Sequence, residues 1–247
     1  MLSYLKAEHI KQKSTFTKKL IVIAPVVTLL LNALSPIWYQ QNSYNWWYVM
    51  LYPGFLTLLC TLVNQRDGGK LKYSAIFTLP VNLKNIWYSK ILICVVYVFT
   101  SNLILMICNI AGGYLIHLIY DIPMTISVLQ ALGGTLCIVL TSMWNIPFCL
   151  WLSRKTGVFG TLIVNVGMSI VLGTLGANTN YWFFSPYSWS SRLMVPILRI
   201  LPNGLPATDS TLAVPIISII LVLIVSVFLF GLISIVTAKD FSRQEVI

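Results

Sequence analysis

Charge is what this sequence has least of. Of its 247 residues only 9% are Asp, Glu, Lys or Arg, against 57% hydrophobic, and the mean hydropathy is +0.84. A soluble domain of this length needs far more surface charge, so that class is excluded. Histidine is scarce too: His9 and His117 stand far apart, and neither neighbours a carboxylate motif. No H-E-x-x-H or G-x-S-x-G run occurs, and Gly69-Lys70 lacks the upstream glycine and the following hydroxyl of a phosphate loop. The usual sequence grounds for hydrolysis or nucleotide binding are therefore missing, and this chain is read as a non-enzyme. Cys60, Cys94, Cys108, Cys137 and Cys149 form no C-x-x-C pair and lie in or beside apolar runs. They read as small buried apolar residues, giving neither a disulfide frame nor a metal site.

Long apolar runs fill the space that charge leaves. A helical membrane span takes about 20 predominantly apolar residues, and such runs occur near 20–38, 46–63, 91–117, 125–152, 157–177 and 212–238. The expected fold is all-α, a polytopic membrane protein of six spans in a single unit over 1–247. The runs are continuous instead of alternating, which excludes a β-barrel. The first run follows Lys18-Lys19, and Ala33-Leu34-Ser35 imitates a signal-peptidase site. Pro36 directly after it opposes cutting and the run exceeds a signal core, so a retained span is expected.

Basic residues are distributed unevenly. With the N-terminus inside, six spans place 14 of the 16 Lys and Arg residues on the cytoplasmic side, with Arg192 and Arg199 alone outside. Four of the six acids also fall inside, so the whole net charge of +10 lies on one face. This is the positive-inside pattern, with attraction to anionic membrane lipid. It puts both termini in the cytoplasm and gives no separate basic domain for nucleic acid. The span interiors hold no Asp, Glu, Lys or Arg; their polar groups include Asn32, Asn102, Asn109, Asn145 and Asn165, which either bond across helices or line a path. Ion-driven transporters place ionisable groups at membrane depth. A neutral membrane domain that does work is expected to receive its energy from elsewhere.

The loop NQRDGGKLKYSAIFTLP, residues 64–80, is the one charged interruption between the second and third runs. Leu71, Ala75 and Leu79 recur at spacing four, one stripe of a short helix, with Asp67 or Gly68 as N-cap and Pro80 as stop. Asn82 is placed to cap the next helix, which passes Trp87 and Tyr88 and enters the membrane past Lys90. Such an element is either a membrane-surface helix or a lever that a second protein pushes.

On these residues the chain resembles the permease subunits of ABC-2-type ATP-driven transporters. Those have six spans, both ends inside, and a first cytoplasmic loop with an acidic or basic residue, glycine, a helix ending in Leu-Pro and a basic residue at the third span. Asp67, Gly69, Leu79, Pro80 and Lys90 match, whereas Lys70 and Lys72 stand where Thr and an acidic residue are usual. Leu5, Glu8, Lys11 and Lys13 are similar to the amphipathic elbow helix of that family, here residues 1–19. Across most of the chain, LKAEHIKQKSTFTKKLIVIAP, YNWWYVMLYPGFLTLLC, LPVNLKNIWYSKIL and PNGLPA resemble the E-type permeases of lantibiotic-immunity transporters.

The resemblance implies a cytoplasmic coupling loop over 65–90 that carries a short coupling helix, with Asp67, Gly68, Gly69, Lys70, Leu71, Ala75, Leu79 and Pro80 contacting a cytoplasmic ABC ATPase dimer. It also implies a second, related permease, and expulsion of a lantibiotic-type peptide from the membrane. ATP and Mg²⁺ belong to the ATPase, and no cofactor is expected on this chain. Another hydrophobic or lipid-like cargo, or a non-pumping immunity scaffold, are the rival functions. The outer segment 178–211 looks like the re-entrant helix pair that caps the exit side of such permeases. Trp182, Phe183, Phe184, Tyr187 and Trp189 read there as a membrane-interface belt or as contacts to the peptide. Leu193, Ile197 and Ile200 form an apolar face, and Arg192 and Arg199, seven apart, share another.

Overall fold

The computed structural model describes residues 1–13, 15–68, 73, 77, 80–208 and 214–243. Its first helix, α1 (Leu2–Lys11), is short and polar. After it come α2 (Phe16–Ala33), α3 (Pro36–Gly68), α4 (Leu83–Tyr120), α5 (Val128–Ser142), α6 (Asn145–Asn178), α7 (Trp189–Leu198) and α8 (Ile216–Ser242). Among the described residues the one β feature is an isolated bridge between Ile200 and Pro206. Five of the helices, α2, α3, α4, α6 and α8, are long and apolar enough to cross a membrane by length and composition.

Burial follows a pattern opposite to that of a soluble protein. Asn102, Asn109, Asn165, Ser101 and Thr57 have no exposure at all, while Leu30, Phe159, Ile163, Ile216 and Ile217 lie open on the outside. An apolar exterior suits hydrocarbon surroundings, and the neutral polar groups inside bond between helices. Trp47 Nε1 donates to Asn102 Oδ1 at 3.0 Å, joining α3 to α4. Asn165 Nδ2 donates to Thr57 Oγ1 at 2.8 Å, joining α6 to α3, and Ser226 Oγ donates to the Leu140 carbonyl, joining α8 to α5. Asn109 Nδ2 reaches the Gln40 carbonyl at 3.3 Å. Asn32 and Asn145 instead bond within their own helices. All five cysteines are free, and four of them are buried.

Two prolines accompany interruptions of the helices, whereas Pro25 lies within an unbroken α2. Pro53 lacks the N–H that would bond the Val49 carbonyl, and α3 widens into a π-turn over Trp47–Leu51 just before it. Pro147 likewise leaves Met143 without its helical donor, and the chain turns at Met143-Trp144 between α5 and α6. The run 125–152, expected to be one uninterrupted helix, is therefore two. The second expected span also begins early: the polar stretch 36–45 is helical and continuous with it. Gln40 is buried there because its Oε1 accepts from the Thr125 and Ile126 N–H groups at 2.8 and 3.2 Å, holding the α4–α5 connection.

Within α6 the chain reverses at Gly157. Thr57 Oγ1 lies 4.0 Å from Cys149 Sγ and 2.8 Å from Asn165 Nδ2. Sixteen residues of straight helix would separate those positions by about 24 Å, so the legs on either side run antiparallel. Gly157 has φ 72° and ψ −171°, a region that is essentially glycine's alone. At the start of α4 the Asn82 side chain accepts from the Asn85 N–H at 3.2 Å, the cap expected from the sequence.

Candidate functional site

Helix α1, the C-terminal part of α8, the start of α4, the end of α3 and the Gly157 turn gather at one pole of the bundle. Glu8, on the inner side of α1, is buried against Lys90 and Lys11. Lys11 Nζ lies 2.7 Å from Glu8 Oε1 and 3.1 Å from each Asp67 oxygen. Lys90 Nζ bonds Asp67 Oδ2 and lies 3.7 Å from Glu8 Oε2. The Lys90 side chain has no exposure and Glu8 has 3%. Two cations and two anions thus form a closed, neutral group joining α1, α3 and α4. Removing Lys90, the fully buried cation, strands buried carboxylate charge at a cost of about 3–5 kcal/mol.

A second group ties α6 to the C-terminal end of α8. Arg154 Nη2 bonds Asp240 Oδ2, and its guanidinium lies 5.5 Å from the centre of the Trp87 ring and 5.4 Å from that of Phe241. Trp87 and Phe241 stack on each other at 4.8 Å. Trp151 Nε1 donates to the same Asp240 oxygen at 3.2 Å.

The 64–80 loop folds onto this pole where it is described. Tyr73 is buried, with left-handed backbone at φ 67°, and its hydroxyl donates to Asn64 Oδ1 at 2.5 Å. Burial pushes its phenol above the ordinary tyrosine range. A Cβ on Gly68 would come within 2.8 Å of the Tyr73 ring, so the glycine makes room for the tyrosine. Phe77 packs on Phe241 at 5.7 Å. Asp67 and Gly68 belong to the last turn of α3, and the helix they were expected to cap falls mostly on residues outside the described ones. Gly69, Lys70, Leu71, Ala75 and Leu79 lie outside the described residues, and Pro80 is exposed at the exit. Of the elbow residues, Leu5 is half-buried and Lys13 exposed beyond the end of α1. The Asn82 N–H donates to the Tyr4 hydroxyl at 3.3 Å, a further tie between α1 and the loop.

The opposite pole carries the 178–208 segment. Of its five singled-out aromatics, only Phe184 is exposed, at 81%. Trp189 Nε1 donates to the Phe183 carbonyl at 2.8 Å, and Trp182 packs edge-on to Phe183. The Tyr187 hydroxyl donates to Asn165 Oδ1 at 2.9 Å while its ring meets Trp144 edge-on at 4.9 Å. Burial raises the Tyr187 phenol above its ordinary value. Arg192 turns inward: Nη1 donates to the Ala177 carbonyl at 3.1 Å under the Trp182 ring, and burial lowers its basicity. Arg199 follows the end of α7 with φ 57°, so the two arginines share no face. Leu193 and Ile200 are buried, Ile197 partly so.

Beneath this cap lies a cleft between α3, α5 and α6, lined by Tyr52, Ser142, Trp144, Asn145, Ser169 and Tyr187 among others. It has about 30 Å³ of room for water centres, on the order of two waters, and is too small for a peptide.

The sequence singled out Glu8, Lys11 and Asp67 without pairing them, and left Arg154, Asp240, Trp87 and Tyr73 unremarked as a group. One signal was present. Glu8 and Asp67 are the two acids in the first 120 positions, in segments otherwise basic, and isolated acids beside membrane spans need partners. Comparison with family models, with curated proteins and with solved structures finds no match to this chain.

Proposed function

We propose that this chain is the membrane subunit of an ABC-2-type ATP-driven transporter that expels a lantibiotic-type antimicrobial peptide from the cell membrane, giving immunity to it. In this reading α2, α3, α4, α5 with the first leg of α6, the second leg of α6, and α8 make six crossings. The pole with α1 and the end of α8 faces the cytoplasm, as the positive-inside rule requires. A cytoplasmic ABC ATPase dimer, holding ATP and Mg²⁺, seats on the 64–80 loop, and a second related permease completes the pore.

The observation that carries the reading is the neutral group of Glu8, Lys11, Asp67 and Lys90. An ATPase closing on ATP displaces the loop at Gly69. Asp67, two residues upstream, is bonded to both α1 and α4, so the displacement reaches α1, α3 and α4 together. The opposite part of α3 carries Tyr52 to the wall of the capped cleft. Movement of α3 against α5 and α6 changes that cleft and the contacts of Tyr187 above it. ATP shifts the balance between two packings because the ATPase binds them unequally. The cap receives the membrane-borne peptide, with Phe184 the residue most open to it.

The test is to replace Gly69 by Trp and Leu79 by Asp. Loss of peptide tolerance and of peptide-stimulated ATP hydrolysis, with the protein still in the membrane, is the expected result. Survival of both properties removes the coupling role from this loop.

A further inference from the structure

The first turn of α2 carries charge of the unfavourable sign. Lys18 and Lys19 stand there with no acid among them, at the helix end whose free N–H groups and dipole favour an anion. That turn also lacks a side-chain cap. Thr15 holds the N-cap position, but its hydroxyl turns back and donates to the Gln12 carbonyl at 3.0 Å. An open groove passes this turn, between the start of α2 and the end of α3, lined by Thr15, Phe16, Thr17, Leu62, Gln65 and Arg66. It has about 380 Å³ of room for water centres, against the ~10–15 Å³ that one water needs. Thr17, on its wall, is 2% exposed, and among the described residues its hydroxyl has no hydrogen-bond partner. Unlike the enclosed Gln12 Nε2, that hydroxyl is not sealed in, so the groove is the space it meets. Arg66, on the facing wall, is exposed and bonds through Nη2 to a neutral acceptor, the Lys11 carbonyl, at 3.3 Å. The two acids of the first 120 positions, Glu8 and Asp67, are both taken by Lys11 and Lys90. Among the described residues, no carboxylate therefore pairs with Lys18, Lys19 or Arg66.

We propose that this groove binds one anionic phospholipid, its phosphodiester held between the first turn of α2 and Arg66. The phosphodiester oxygens accept from the free N–H groups of that turn, from the Thr17 hydroxyl and from the guanidinium. Helix starts and arginines suit phosphate for this reason. An apolar track continues from the same place. Phe16, Ile23 and Leu30 stand seven apart, so they follow one face of α2, and they are 57%, 43% and 65% exposed. An acyl chain covers that track, which a free phosphate would leave bare, so lipid is the occupant. A zwitterionic headgroup would bring its own cation towards Lys18, Lys19 and Arg66, so the headgroup is anionic. The site needs only that this pole stand at a membrane face, as in the reading above, and is independent of the ATPase and of any peptide.

The full chain, purified in detergent, is exposed separately to phosphatidylglycerol, phosphatidylcholine and inorganic phosphate. Retained lipid is read by native mass spectrometry, and affinity by the shift in thermal unfolding. One phosphatidylglycerol held in preference to phosphatidylcholine is expected. Binding is roughly tenfold weaker in Arg66→Gln and roughly fivefold weaker in Thr17→Val. Arg66 is exposed and Thr17→Val keeps the side chain's shape, so both variants fold with the Glu8, Lys11, Asp67 and Lys90 group in place. Lys84→Gln is the control: it removes the same charge from an exposed position at the start of α4 that does not line the groove, and it keeps the lipid. Equal weakening by Lys84→Gln and Arg66→Gln, or no preference between the two lipids, overturns the proposal and leaves a basic surface that attracts anions at large. Binding of inorganic phosphate without phosphatidylglycerol, or undiminished lipid in the folded double variant of Thr17→Val and Arg66→Gln, overturns it too.

Discussion

The two poles of this molecule are built from the same short list of polar side chains but held by different forces. At the pole of α1, whole charges face one another: Glu8 and Asp67 against Lys11 and Lys90, and Asp240 against Arg154. At the capped pole the bonds are neutral, such as Tyr187 to Asn165 and Trp189 to the Phe183 carbonyl, and the one buried cation, Arg192, is bonded to the Ala177 carbonyl. Buried ion groups fix one arrangement and punish partial rupture. Single neutral hydrogen bonds contribute about 1 kcal/mol each and exchange partners at little loss. The first kind suits a region that must move as one piece, the second a region that must rearrange.

That contrast breaks if the poles respond alike to loss of one contact. The largest effect is expected for Lys90→Met, which strands two carboxylates beside Lys11 and lowers stability by about 3–5 kcal/mol. Unfolding in detergent measures it, and adding Glu8→Gln with Asp67→Asn restores most of the loss. Gly68→Val drives a side chain into the Tyr73 ring and costs about 1–3 kcal/mol. In a Tyr73→Ala background that cost falls sharply, a coupling that a double-mutant cycle reads directly. At the other pole Tyr187→Phe removes the bond to Asn165 and costs about 1 kcal/mol. Phe184→Ser, on the exposed edge of the cap, stays within about 0.5 kcal/mol of the parent in stability. If it also leaves peptide tolerance untouched, Phe184 has no part in the proposed peptide contact.

How much of this was legible beforehand depends on the kind of signal. The all-helical membrane class follows from composition, and the Asn82 cap from one residue type at a helix start. The reversal at Gly157 shows in the sequence as Arg154, Lys155 and a glycine between two apolar runs. The break at Met143-Trp144 does not, because its cause, Pro147, lies four residues downstream inside an apolar stretch. The helical stretch 36–45 is hidden for the opposite reason: Gln40, Gln41, Asn42 and Asn45 look like loop until Gln40 is seen to hold the Thr125 and Ile126 amides. The ionic group was visible one residue at a time and not as a group. Its members stand at positions 8, 11, 67 and 90, and only the packing of α1 on α4 brings them together.

The account rests on force entering from an ATP-consuming partner at the charged pole. The measurement closest to that claim is survival of a peptide-sensitive host expressing this chain and the proposed partner permease, with and without the proposed ATPase. Protection that requires the ATPase, and that fails when the ATPase cannot hydrolyse ATP, is the expected result. Equal protection in its absence would contradict the account and leave a membrane protein that holds the peptide without pumping it.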